Sequence, residues 1–246
     1  MTYCLAMRLD EGLVFLADTR TNAGVDNVGS YRKLHVVRPA PDRVFVLESA
    51  GNLATTQEVL DRISRDLDTP GDHESLATVG HLFEAALYVG RLSQEVARSH
   101  NDALSRVSAD GTSSFILGGQ IRGERPEILL VYPEGNYIRA SDSRPFLQIG
   151  ETKYGKFMLE LAVKAHVDLV TAGKIALTSM LSTARANLSV GPPYDAAVYR
   201  NGSLEVDEHR IDEDSPYLAD LVGVWDKHLH AAIEDLPPLP PGLFGA

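Results

Sequence analysis

The chain opens with two largely apolar runs, residues 3–9 and 13–17, separated by Asp10-Glu11-Gly12. Apolar runs on either side of a short Asp/Gly break are a β-hairpin signal. Polar, glycine-containing sequence follows from Thr19 to Ser30, with no pattern that predicts an element. Strands resume over 33–38 and 43–48, around Pro39-Ala40-Pro41-Asp42. The period then changes. Leu53, Val59, Leu60, Ile63 and Leu67 recur at helical spacing and predict an amphipathic helix over 53–67. After a break at 72–74, a second helix is expected over 75–100. Strands return at 113–122 and 127–132, with turns at 122–126 and 133–136. Two helices follow, one over 154–166 and one that takes Asp168 as N-cap and runs to about Ala186. Short strands at 196–199 and 204–206 flank Asn201-Gly202, and a last helix covers 215–233.

Strands and helices come in groups rather than in alternation. That order excludes a parallel doubly wound sheet and predicts an α+β fold of antiparallel sheets covered by helix pairs. One domain is expected over 1–235. The remainder, 236–246, contains Pro237-Pro238-Leu239-Pro240-Pro241-Gly242 and is too proline-rich for a helix, so a loose tail is expected there.

Composition narrows the function classes. Hydrophobic residues make up 44% of the 246 positions, enough for an ordinary core. The formal net charge of -11 argues against a nucleic-acid partner and against docking on an anionic membrane, both of which need clustered Lys and Arg. A single cysteine, Cys4, excludes an intrachain disulfide. No run approaches the roughly 20 apolar residues of a membrane span, and the first ten residues lack the pattern of a secretory signal, so a cytoplasmic protein is expected.

The chain has no phosphate-binding loop, no GxGxxG after a strand and no GxSxG. Its eight histidines form no metal pattern: His228 and His230, two apart on a helix, point in different directions. The N-terminus is more informative. Thr2 follows Met1, and removal of that methionine would leave a threonine whose hydroxyl attacks while its own amine takes the proton. An α-amino group titrates near 7.7–8.0, so part of it is neutral at physiological pH. Asp18 ends the second strand of the opening hairpin and Lys33 opens the next. A lysine beside the hydroxyl would lower its pKa, and an aspartate beside the lysine would hold it charged.

Met1-Thr2-Tyr3-Cys4, the stretch from Leu16 through Asp18-Thr19-Arg20 to Gly24, and Tyr31-Arg32-Lys33-Leu34-His35 resemble bacterial proteasome-type peptidases, most closely the Anbu (ancestral beta subunit) group. Further matches are Phe115 to Gln120, Ile149 to Gly155 and Asn187 to Pro193, so the likeness runs from residue 1 to about 200. The resemblance implies a four-layer αββα sandwich and an N-terminal-nucleophile hydrolase without metal or organic cofactor. Thr2 is then the nucleophile, Lys33 the activating charge, Asp18 its partner, Gly51 an oxyanion donor through its N–H, and Ser189 a support for the amine. Thr21, Ser49 and Ala50 are implied to line the substrate. The pattern departs from proteasome subunits in two places. Ala186 stands where an Asp three residues before the serine is usual, and the usual Gly-Ser motif reads Gly150-Glu151-Thr152, with Thr152 or Glu151 as the substitute. The expected activity is cleavage of peptide bonds through an acyl-enzyme, with Thr2→Ala and Lys33→Ala each abolishing turnover and leaving the fold intact. The alternatives are an amidase of small-molecule amides or a non-catalytic ring subunit. The resemblance also implies a homo-oligomer, a ring or an open helical turn. The helix at 75–100 adds support, since Leu76, Val79, Leu82, Phe83, Leu87, Val89, Leu92 and Val96 make a wider apolar surface than one sheet contact needs, unless that helix is buried on all sides.

Overall fold

In the computed structural model the opening hairpin forms where the apolar runs place it. Strands β1 (Tyr3–Arg8) and β2 (Gly12–Asp18) pair antiparallel, with Cys4 opposite Ala17 and Arg8 opposite Leu13. The structure describes residues 2–22, 28–69, 71 and 73–244. Met1, Ala23 and Gly24, and Asp72 of the expected 72–74 break, lie outside the described residues. The chain forms two units, Met1–Asp212 and Glu213–Ala246.

The first unit holds two five-stranded antiparallel sheets. Short strands β3 (Arg20–Asn22) and β4 (Val28–Ser30) pair with each other within the polar stretch that carries no periodic signal. Strands β5 (Leu34–Ala40) and β6 (Arg43–Gly51) follow, then helices α1 (Leu53–Asp68) and α2 (Leu82–Arg106), then β7 (Ser113–Ile121), β8 (Glu127–Val131), β9 (Tyr137–Arg139) and β10 (Phe146–Gly150). Helices α3 (Lys153–Ala162) and α4 (Leu169–Ala186) precede β11 (Tyr194–Arg200) and β12 (Val206–Ile211). One sheet has the order β10-β1-β2-β11-β12 and the other β5-β6-β7-β8-β9.

Strand β6 shows how the layers share residues. Its side chains alternate between two faces, as the period of a strand requires. Phe45 and Leu47 join Val59 and Ile63 of α1, and Leu82, Val89 and Val96 of α2, in one buried cluster. Val44, Val46 and Ala50 join Cys4, Phe15 and Ala197 of the other sheet in a second. Helix α4 lies against β1 and β2 on the far side of that sheet, where Tyr3 Oη and Ser179 Oγ are 2.7 Å apart.

Several boundaries differ from those the sequence predicts. Helix α2 starts at Leu82, not 75, and runs to Arg106. The residues before it spend their polar groups on a local turn: the Ser75 amide donates to Thr78 Oγ1 (2.9 Å), and the Thr78 amide to the Ser75 carbonyl (3.0 Å). Glu84 then accepts from the Gly80 and His81 amides, which fixes the helix start. Most of the apolar side chains expected to leave a free face are covered by the chain itself: Leu76, Val79, Leu82, Val89, Leu92 and Val96 are buried, Phe83 packs against their cluster, and Leu87 is half-buried. That helix therefore gives no support to self-assembly. Strand β12 begins at Val206, because Leu204 takes a left-handed conformation (φ 55°) and Ser203 Oγ accepts the Glu205 amide. Strands β9 and β10, which patterning leaves out, are short pieces that exist by pairing with β8 and β1. The Asp168 cap forms as expected, accepting the Thr171 amide at 2.9 Å.

The second unit carries helix α5 (Pro216–Glu234), with Ser215 as N-cap and proline in its first turn, where a missing N–H costs nothing. No helix continues beyond it through residue 244.

Candidate active site

Thr2 sits at the head of β1, between the ends of its two neighbours in the sheet. On one side, the Glu151 amide donates to the Thr2 carbonyl at 2.7 Å. Gly150 makes that approach possible: it has φ +83°, and a Cβ there would lie 1.9 Å from the same carbonyl oxygen. On the other side, β2 ends in Asp18, whose Oδ1 accepts the Tyr3 amide at 2.9 Å. The hairpin register thus brings Asp18 to the residue that follows Thr2.

Lys33 reaches the same oxygen. Its Nζ donates to Asp18 Oδ1 and to the Arg20 carbonyl, both at 2.7 Å. An ammonium has three donors, so one remains. The side chains of Lys33 and Asp18 are 4% and 0% exposed, which makes this a buried ion pair. Asp18 Oδ2 also accepts the Gly191 amide at 3.3 Å. Burial holds the Asp18 carboxyl above its ordinary value, and the Lys33 ammonium and the two amides offset only part of that rise.

The pair is tied to β6. The Ser49 amide donates to the Lys33 carbonyl at 3.0 Å, and Cys4 Sγ donates to the Ser49 carbonyl at 3.8 Å. Ser49 and Ala50 are buried and Gly51, at the end of the strand, is exposed. Gly51 has φ +114°, and a Cβ there would lie 2.4 Å from the Thr112 carbonyl, so this position requires glycine for the backbone alone. Thr21 lies in β3 opposite Gly29, one residue past the Arg20 carbonyl that holds Lys33.

The loop after α4 spans both sides of Thr2. Asn187 donates through Nδ2 to Glu151 Oε2 (3.1 Å) and accepts the Ser189 amide on Oδ1 (3.0 Å). Arg20 donates to the Leu188 carbonyl (2.9 Å), and Gly191 closes on Asp18. Ala186 ends α4 and is exposed. Among the described residues, no group of three or more His, Cys, Asp and Glu is placed to hold a metal ion.

The whole chain aligns with solved structures at identities that decide its family. It is 44% identical to an Anbu (Gly-1) mutant from Hyphomicrobium sp. strain MC1, covering 98% of this chain and 100% of that one with a TM-score of 0.90. The chain belongs to the Anbu family. Anbu (ancestral beta-subunit) from Yersinia bercovieri is 40% identical, with the same coverage and a TM-score of 0.90. The Anbu chain from a helical assembly of the Anbu complex from Pseudomonas aeruginosa is 39% identical, again over 98% and 100%, with a TM-score of 0.92. No family model and no curated protein matches the chain. Its α+β architecture is that of an Anbu, proteasome-subunit-like fold.

Of the residues singled out from the sequence, Asp18 and Lys33 are in direct contact, Ser49 is hydrogen-bonded to the Lys33 backbone, and Ser189 is joined to Glu151 through Asn187. Thr152 precedes α3 without a side-chain bond to its first turn. Sequence reasoning missed Arg20, Asn187 and Glu48. Arg20 and Asn187 stood inside the family-like blocks, but their roles depend on a backbone carbonyl and a loop crossing that no spacing encodes. Glu48 interrupts an otherwise apolar strand, a signal that was available: it is 0% exposed, and neither carboxyl oxygen has a hydrogen-bond partner among the described residues.

Proposed function

We propose that this chain is a threonine-type amidohydrolase that cleaves peptide bonds once Met1 is removed. The observation that carries the reading is the buried Lys33–Asp18 pair, anchored on the amide next to Thr2. A fixed ammonium there favours ionisation of the Thr2 hydroxyl. The proton leaves Oγ1 for the α-amine as the Oγ1–C bond forms and the carbonyl π pair moves onto oxygen. The Gly51 N–H stabilises that oxyanion, the amine returns the proton to the leaving nitrogen, and water hydrolyses the ester on Thr2. Ser189 supports the amine, and Thr21, Ser49 and Ala50 line the substrate. No metal or organic cofactor enters these steps.

We read the packing of α1 and α2 on one sheet, sheet on sheet, and α4 on the other as a four-layer αββα sandwich. Self-assembly into a ring or open helical turn is supported by the helical assembly of the Pseudomonas aeruginosa relative. It is supported too by apolar side chains left in solvent on α3 and α4, namely Tyr154, Phe157, Leu161 and Val170. No described helix is long and apolar enough to cross a membrane, and we place the protein in the cytoplasm.

The test is intact mass followed by acylation with a β-lactone. Protein from its host should lack Met1, gain one acyl group on Thr2 and hydrolyse peptide amides. Thr2→Ala should lose turnover by at least about 1,000-fold. Protein that keeps Met1 and is never acylated is instead a non-catalytic subunit.

A further inference from the structure

The sequence offers Thr152 or Glu151 in place of the usual Gly-Ser motif, and the steps proposed above use neither. Glu151 is 7% exposed, and its backbone amide already grips the Thr2 carbonyl. Its side chain is held from two directions: Oε2 accepts Asn187 Nδ2 (3.1 Å), and Oε1 faces the Lys153 amide (3.3 Å). The same Asn187 fixes the loop that runs by way of Ser189 to Gly191 on Asp18. The head of β1 is therefore bracketed by a carboxylate on the β10 side and an ion pair on the β2 side. The two sides act oppositely on a free Thr2 amine. Lys33, needed to activate the hydroxyl, also disfavours a proton on the neighbouring nitrogen, although that nitrogen must serve as the base. Asp18 is engaged by Lys33 and two amides and has little capacity left to offset this. A second negative charge, not bonded to Lys33, would restore the basicity.

We propose that Glu151, clamped by Asn187, is the positioning residue for the Thr2 α-amine. Its carboxylate accepts one N–H of the amine, directly or through one water, and turns the nitrogen lone pair toward Thr2 Oγ1. When the amine takes the hydroxyl proton, the resulting ammonium faces Glu151 rather than Lys33. The exposed Ala186 has no acid to offer, so this chain supplies the charge from the β10 turn. The inference rests on Thr2 being the nucleophile.

The experiment measures the rate of β-lactone acylation of Met1-processed protein as a function of pH, for the wild type, Glu151→Gln, Glu151→Asp and Asn187→Ala. The pH at which the Thr2 amine becomes reactive toward an amine-acetylating reagent is read in parallel. Removing the charge should make the amine less basic. In Glu151→Gln the amine midpoint and the acidic limb of acylation should both fall by roughly one pH unit. The plateau rate should fall by about 10- to 100-fold as the lone pair loses its orientation. Glu151→Asp should return the midpoint toward the wild-type value. Asn187→Ala keeps the charge but frees the side chain, so its midpoint should stay and its plateau should fall. Wild-type protein that is not acylated sinks the nucleophile assignment and leaves Glu151 out of account. Wild-type acylation with an unmoved midpoint in Glu151→Gln overturns the role of Glu151. Should Glu151→Gln not fold, an unchanged plateau in Asn187→Ala overturns it equally.

Discussion

Asp18 and Glu48 are both acids with no solvent exposure, on the inner strands of facing sheets, and they are handled in opposite ways. Asp18 meets an ammonium and two backbone amides. Glu48 meets no donor in hydrogen-bonding geometry, and only the Leu16 amide favours its ionised form. Burial pushes both carboxyls up, but for Asp18 the partners oppose it, whereas Glu48 stands well above the usual carboxylate range. One interior therefore holds a fixed charge at the head of β1 and, on β6 opposite Leu34, an acid whose burial favours the protonated form. Burial sets the cost of a charge, and partners decide whether it is borne. Cys4 is buried close to both, and burial pushes its thiol well up, so it is an inert core residue.

The harshest way to break the comparison is to take away the partner of Asp18. Lys33→Ala should cost about 3–5 kcal/mol, because it strands a buried carboxylate. The expectation from sequence, that this substitution spares the fold, does not survive the 4% exposure of Lys33. The double variant Asp18→Asn/Lys33→Met should recover most of the stability while turnover stays lost. Urea unfolding beside peptide hydrolysis separates the two effects. A wild-type midpoint for Lys33→Ala would mean that Asp18 is as neutral as Glu48.

This contrast marks how far the sequence could be read. Asp18 and Lys33 were legible because a hairpin end and a strand start are local features, and the family-like blocks named them. The elements with strong periodicity, such as α1 and β2, appeared close to where patterning put them. What stayed hidden depends on distant backbone. The Arg20 carbonyl, the Asn187 bridge and the pairing of β10 with β1 join residues far apart in sequence, and no propensity carries such a contact. The start of α2 was misplaced because Ser75, Thr78 and Glu84 compete for backbone groups, which an apolar period does not register.

Glu48→Gln gives the next largest effect, and it appears in the pH dependence. The folded state keeps the Glu48 proton above the pH at which the unfolded chain, near 4.3, has lost it. A carboxyl raised in this way contributes stability that is complete below the unfolded pKa and is lost as pH rises toward the folded one. Over that window the slope is about -1.4 kcal/mol per pH unit, since the folded state binds one proton more. Glu48→Gln removes the term. Urea midpoints taken from acid to mildly alkaline pH should fall less steeply in the variant, which overtakes the wild type on the alkaline side. Equal slopes would show that Glu48 ionises in the fold and has a partner after all.

Tyr3→Phe is the mildest test and sharpens the rule from the other direction. Tyr3 is also fully buried, but its polar group is neutral and satisfied: Oη lies 2.7 Å from Ser179 Oγ and accepts Gln148 Nε2 at 2.5 Å. Burial is the first cause that lifts its hydroxyl to about 12, so it carries no charge in the range where the two acids differ. Removing the oxygen frees Ser179 and Gln148 but leaves no buried ion. Ser179 keeps its bond to the Gly155 carbonyl at 3.0 Å, which limits the loss. The expected cost is about 1 kcal/mol, the net worth of an ordinary buried hydrogen bond, and it should be the same at every pH between the acid and alkaline limits. If the cost instead changed with pH as it does for Glu48, hydrogen bonding and charge could not be separated in this interior, and the contrast between Asp18 and Glu48 would need another cause.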